Sequence, residues 1–165
     1  MAVTISGDTG ISAVQAGAVE SGDLPAGSLI QVVHNQYGTD VTSSSSTFID
    51  TGLSASITPT KASSKILVLV EQNGCRKSPN VISNSLDIEL LYQNSVLVRF
   101  AGALAQTGDA SENVVSSGLS YLHSPNTTSA VNYKTQFRSR NDGNSVSVQY
   151  ASVSVSAITL MEIAG

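Results

Sequence analysis

Apolar and polar residues alternate along most of this chain at the two-residue period of a pleated strand, and no segment carries a helical stripe. Leu29 to His34 reads as an apolar strand, followed by a polar loop from Gly38 to Ser46 that holds consecutive serines at 43–46. Thr47 to Asp50 and Leu53 to Thr58 read as two short strands. Lys65 to Gln72 contains Ile66-Leu67-Val68-Leu69-Val70, apolar on both parities, which predicts a strand buried on both faces. Next, Ile82, Leu86, Ile88, Leu90 and Tyr92 share one parity, while Ser83, Ser85, Asp87 and Glu89 share the other. That is one face inward and one solvated. Gln93-Asn94 turns the chain into Val96 to Phe100, and Ala101 to Glu112 is a small, polar loop.

Val114 to Leu122 and Val131 to Phe137 are further strands around a Ser124-Pro125-Asn126 turn. Asn141-Asp142-Gly143-Asn144 is a hairpin signal, because Asp-Gly supplies the positive φ of a tight turn. Val146, Val148 and Tyr150 share a parity that Val153, Val155 and Ala157 do not, so the inward face is expected to switch near Ala151, at a bulge. About eight to ten short strands in roughly 140 residues predict an all-β fold, an antiparallel β-sandwich of jelly-roll type, with an immunoglobulin-like sandwich as runner-up. The runner-up is weakened by the absence of tryptophan. Ile66, Val68, Val70, Leu86, Ile88, Leu90, Val146 and Val148 are the expected core.

Residues 1–23 differ from the rest. They are rich in Gly, Ala and Ser with isolated apolar positions, too few to fold alone, and read as an extended N-terminal arm ahead of a β domain at 24–165. Val3, Ile5, Ile11 and Val14 are the residues expected to anchor it on another surface. Extended, such an arm reaches roughly 75 Å, enough to cross onto a neighbouring subunit.

Composition narrows the function. The chain has 165 residues, of which 12 % are charged and 5 % aromatic. So few large aromatics leave each subunit a thin core, which points to a homo-oligomer. A net charge of −4 with eight scattered Lys and Arg offers no track for phosphates, so nucleic acid is not an expected partner. No apolar run approaches the roughly 18 residues of a membrane span. The start, Met1-Ala2-Val3-Thr4, lacks the features of a signal peptide, which implies synthesis in the cytoplasm.

Candidate chemistry is sparse. Cys75 is the single cysteine and lies in Asn73-Gly74-Cys75-Arg76-Lys77, read as an incidental thiol in a polar turn, with a pKa lowered by the two neighbouring cations as the sharper alternative. His34 and His123 have no partner at metal-ligand spacing. Asp87 and Glu89, at i and i+2, share a strand face and read as solvated rather than as an acid/base pair. Asp109, Glu112 and Asn113 lie in a loop without the spacing of a calcium motif. No nucleophile elbow, phosphate loop or dinucleotide fingerprint is present. The expectation is no enzyme, no cofactor and no metal. The most distinctive polar surface is Arg138 and Arg140 beside Asn141, Asp142 and Asn144, a receptor or subunit contact set against an ordinary solvated turn.

The segment Asp50-Thr51-Gly52-Leu53-Ser54-Ala55-Ser56-Ile57-Thr58-Pro59, with Lys61-Ala62-Ser63-Ser64-Lys65 after it, resembles small structural and tail-fibre-type proteins of tailed bacteriophages, marine and cyanobacterial ones especially. The ending Ser156-Ala157-Ile158-Thr159-Leu160-Met161-Glu162-Ile163-Ala164-Gly165 resembles the same family, and Gly10-Ile11-Ser12-Ala13-Val14-Gln15-Ala16-Gly17 is a weaker echo of phage appendage proteins. The resemblance covers residues 24 to 165 and brings no catalytic or receptor-binding residue with it. It implies a virion component made in the host cytoplasm: a short tail-fibre or appendage protein acting in host attachment or as a connector. A capsid decoration or head-fibre protein is the alternative, and a capsule-degrading enzyme a remote one. It also implies a homotrimer like the compact trimeric heads of viral appendages, held to other virion proteins by the arm, with a host-surface glycan or protein as a further partner.

Overall fold

The computed structural model describes residues 23–79 and 81–165. Val3, Ile5, Ile11 and Val14, the residues expected to anchor the arm, lie outside the described residues.

Ten strands form among them: β1 (Leu29–Tyr37), β2 (Val41–Ser43), β3 (Ile49–Ile57), β4 (Lys65–Lys77), β5 (Leu86–Tyr92), β6 (Ser95–Leu104), β7 (Asn113–His123), β8 (Val131–Ser139), β9 (Val146–Val148) and β10 (Ser156–Ile163). All pair antiparallel. One sheet runs β7-β4-β10-β1, with β9 and β2 continuing it beyond the ends of β10 and β1, and the other runs β3-β8-β5-β6. Since β1 and β2 form one interrupted strand, and β9 and β10 another, eight strands remain, ordered 1-8-3-6 and 2-7-4-5. That order is a jelly roll, two Greek keys folded face to face.

The expected core is the observed one. Ile66, Val68, Val70, Leu86, Ile88, Leu90, Val146 and Val148 are each no more than 2 % exposed. The Gln93-Asn94 tip of the β5–β6 hairpin has both residues at positive φ, as a tight hairpin turn requires. Other expectations need correction. Thr47–Asp50 and Leu53–Thr58 are not two strands. They belong largely to the single strand β3, whose register slips between Asp50 and Ser54 at Gly52. Gly52 has φ 88°, and the Tyr37 ring occupies the space a Cβ would need.

Asn141–Asn144 makes a tight turn but no hairpin, because it carries the chain from β8 in one sheet to β9 in the other. Asp-Gly fixes the bend, and the jelly-roll order decides which strands pair. The inward face does not switch near Ala151 either. Val146 and Val148 point inward before the 3-10 turn Tyr150–Ser152, as do Ile158 and Leu160 after it, and Val153 and Val155 are exposed. In β4, Ile66, Val68 and Val70 face the core, whereas Leu67 and Leu69 are only half-buried on the outer face.

Two apolar clusters fill the sandwich, one around Leu53, Ile66, Tyr133 and Leu160, the other around Leu86, Ile88, Phe137 and Val148. A fully buried polar seam lies between them. Thr135 of β8 donates to Gln72 Oε1 of β4 at 3.0 Å and shares a 2.6 Å hydroxyl contact with Thr51 of β3, while Gln72 Nε2 lies 3.0 Å from Ser156 Oγ. Buried polar groups are costly unless paired, so the seam sets how the two sheets lie on each other. Thr135→Val keeps the shape and removes the hydroxyl, leaving Gln72 Oε1 and Thr51 without their shared partner. Urea unfolding of this variant is expected to show a stability loss of about 1–3 kcal/mol with an unchanged slope.

Candidate functional site

The sandwich has two distinct ends, joined by β4. Its 13 residues span roughly 43 Å at about 3.3 Å per residue. At one end, residues 23–28 meet the C-terminal segment: Gly27 N donates to Ala164 O at 2.7 Å and Ala164 N to Ser28 O at 2.8 Å. At the other end lie the 44–46 loop, Ser83–Ser85 and the turn after β8. This second end carries the polar site.

Arg138 is the last outward residue of β8, and the register sets it opposite Asp87 of β5. Its Nε and Nη2 donate to Asp87 Oδ2 at 3.0 and 2.9 Å. Arg140 Nε lies 3.6 Å from Asp87 Oδ1, Arg99 Nη1 of β6 lies 3.9 Å from Oδ2, and Arg99 Nη2 lies 3.6 Å from Glu89. The Phe48 ring sits against the guanidinium groups of both Arg99 and Arg138, 5.0 and 4.9 Å from its centroid. Such cation–π contacts hold the long side chains down over the strand. Asp87 and Glu89 face away from the core, as expected, but they are not solvated: they are 3 % and 4 % exposed. Three arginines against two carboxylates leave one cationic charge in excess.

The turn residues are largely committed to the fold. Asn141 Nδ2 donates to Ser83 O at 2.8 Å, Arg140 N to Ser85 O at 3.0 Å, Gly143 N to Ser44 O at 2.8 Å, and Asp142 Oδ1 accepts from Ser46 N at 3.0 Å. These bonds tie three separate segments into one rim. Beside it opens a cleft of about 350 Å³ lined by Ser83, Ser85, Gln106, Arg140 and Asn141. The lining is hydroxyl, amide and guanidinium with no carboxylate, so it suits an oxygen-rich or anionic guest. Arg140 and Asn141 of the expected set border the cleft. Arg138 is held by Asp87, Asp142 by the 44–46 loop, and Asn144 lies in the same turn, where its N–H closes onto Asn141 O at 3.0 Å.

Sequence reasoning missed Ser83, Ser85, Gln106, Phe48 and Arg99. The parity of Ser83 and Ser85 marked them as outward, but only the β5–β8 register brings them to Arg140.

The remaining candidates play structural parts. Cys75 lies not in a turn but buried in β4, and burial pushes its thiol up to about 12 rather than down. His34 bonds Thr159 Oγ1 at 2.9 Å on an outer sheet face. His123 contacts the Tyr133 hydroxyl at 2.9 Å and the edge of the Tyr92 ring, and burial lowers its pKa. Glu112 pairs with Arg76, and Asp109 caps Ser111 N at 2.9 Å. Among the described residues no three His, Cys, Asp or Glu side chains gather as a metal site, and no helix is long and apolar enough to cross a membrane.

No family model matches the chain, and no curated protein matches it. Among solved structures it is similar to the VP2 subviral particle of infectious bursal disease virus, at 12 % identity and a TM-score of 0.48, over 82 % of this chain and 33 % of that one. The Gx strain of the same virus gives 12 % identity and a TM-score of 0.44 over 82 % and 37 %. The chain thus spans about a third of the length of these structures. The jelly-roll assignment rests on its own strand order.

Asp87→Ala removes the carboxylate shared by three arginines that reach solvent, and thermal unfolding is expected to show a loss of about 1–3 kcal/mol, that of its charge-assisted hydrogen bonds. Arg140→Ala, half-exposed and loosely paired, is expected to change stability by less than about 1 kcal/mol. The folded protein should also leave Cys75 unreactive toward a thiol reagent at pH 8, with full labelling only in denaturant.

Proposed function

We propose that this protein is a structural subunit of a virus particle, a short appendage held at the end where residues 23–28 join the sandwich and presenting the Arg140–Asn141 cleft at the other. The observation that carries this reading is the bipolar layout of the jelly roll: the segment leading into β1 and the polar cleft lie at opposite ends of β4. The resemblance of residues 50–65 and 156–165 to tailed-phage appendage proteins supplies the particle. A cleft rich in donors suits the hydroxyls and carboxylates of a host-surface glycan, with Arg140 reading the negative charge and Asn141 and Ser85 the hydroxyls. On this reading the arm, with Val3, Ile5, Ile11 and Val14, is the attachment to other virion proteins.

The test uses antibodies raised to the recombinant chain and electron microscopy of particles bearing it. Label at the tail is the expected outcome; label over the capsid would make the protein a decoration, and particles without label would refute the reading. Removing residues 1–22 should leave a folded domain that no longer incorporates. Truncated protein at normal occupancy on particles would move the anchor into the β domain.

A further inference from the structure

Lys77 closes β4, and among the described residues it is the single Lys or Arg that is fully buried, at 0 % exposure. Its ammonium donates to Val81 O at 3.1 Å and to Asp109 O at 2.8 Å. Those carbonyls belong to two separate segments. Val81 stands two residues before Ser83, in the stretch leading into β5, and Asp109 three residues after Gln106, in the loop after β6. Lys77 thus reaches, from inside the sandwich, both segments that supply Ser83 and Gln106 to the cleft.

The two walls are fixed unequally. Ser83 to Ser85 is tied by Asn141 Nδ2 to Ser83 O and by Arg140 N to Ser85 O. Between them the buried Asn84 donates to Ser145 O at 2.9 Å and accepts from Ser139 Oγ at 3.2 Å. The Gln106 wall is held mostly by its own neighbours. Gln106 N donates to Ala103 O at 3.4 Å, Thr107 Oγ1 to Asp109 O at 3.0 Å and Asn113 Nδ2 to Ala105 O at 3.3 Å. These bonds shape the loop without fastening it to the opposite wall. Its long-range polar ties come from β4: Lys77 to Asp109 O on the inner side, and the Arg76–Glu112 ion pair on the outer one.

A buried charge is a poor source of stability, because a well-packed apolar side chain in its place is often neutral or better. An ammonium offers something else. Its three donors can hold carbonyls of different segments at once. We infer that Lys77 is a positioning residue of the cleft: it sets the distance between the Gln106 wall and the Ser83–Ser85 wall and touches no guest itself. The inference rests on the cleft being the binding site proposed above. A site whose walls are already in place spends less of its interaction energy on ordering them. Lys77 therefore acts on affinity through Gln106, with Arg140 and Asn141 left as they are.

The experiment reads that distance. Cys75 is buried, so a nitroxide pair can be placed selectively on Ile82→Cys, at a 59 % exposed position, and Gly108→Cys, where a Cβ meets nothing within 4 Å. Spin–spin coupling in the full chain is expected to give one narrow distance. Adding Lys77→Met is expected to lengthen and broaden it, while circular dichroism and the thermal midpoint stay at the values of the labelled parent. Arg76→Ala is expected to leave the distance narrow. A broad distance in the parent, an unchanged one in Lys77→Met, or equal broadening in Arg76→Ala would overturn the inference. So would a Lys77→Met chain that does not fold, by making Lys77 a part of the fold. Titration with glucuronate, an acidic sugar probe, tests the underlying reading separately. Kd is expected to rise about tenfold in Lys77→Met, a loss of pre-organisation. Equal affinity in both proteins would overturn the inference alone, whereas no binding to the wild type would overturn the glycan reading of the cleft, whatever the distances show.

Discussion

Thr135 and Gln72 meet in the middle of the sandwich, and the relation of the two sheets depends on that contact. β4 and β8 belong to different sheets and share no ladder, so only side chains hold them in register. Leu53, Ile66, Tyr133 and Leu160 can slide on their neighbours at little cost, because hydrophobic contact has no direction. A buried Gln72–Thr135–Thr51 chain cannot slide, because any offset leaves a polar group unpaired in the core. The apolar clusters supply the burial and the seam supplies the alignment. From that alignment comes the closing of the cleft rim, where the 44–46 loop after β2 meets the turn after β8.

Much of the fold was legible in the sequence because the strands are amphipathic in the simplest way. Ile66, Val68, Val70, Leu86, Ile88 and Leu90 follow the period of two without interruption, and burial follows. The failures have physical causes. Asp-Gly at 142–143 specifies a bend, and bends serve equally between paired strands and between sheets. Cys75 was placed in a turn by its polar neighbours, but β4 runs through it: Arg76 faces the other way, and Lys77, buried on the side of Cys75, spends its ammonium on Val81 O and Asp109 O. Asp87 and Glu89 point outward as their parity requires. Their burial comes from long arginine stems and Phe48 lying over them, which no periodicity encodes. The candidate site was legible only as a cluster at 138–144, since its other walls come from the segment leading into β5 and the loop after β6.

The two-sided apolar run at Ile66 to Val70 was the most informative pattern and also the most easily misread. It promises a strand covered on both faces. The single sandwich covers one, leaving Leu67 and Leu69 half-buried. Apolarity on both parities thus marks Ile66 to Val70 as a strand, and its place in the sandwich decides which parity is covered.

The way residues 23–28 join β1 also has a mechanical consequence. β1 runs from that junction along the edge of its sheet, paired with β10 from Leu29↔Ile163 to Tyr37↔Ser156. A pull on residue 23 along the long axis, against a load held at the cleft end, draws β1 lengthwise past β10. The whole ladder is then strained together in shear, and no bond at its end opens first as in a zipper. Rupture under such a load is set by the rate of crossing one large barrier rather than a series of small ones. An edge strand with modest equilibrium stability can in this way act as a strong tether.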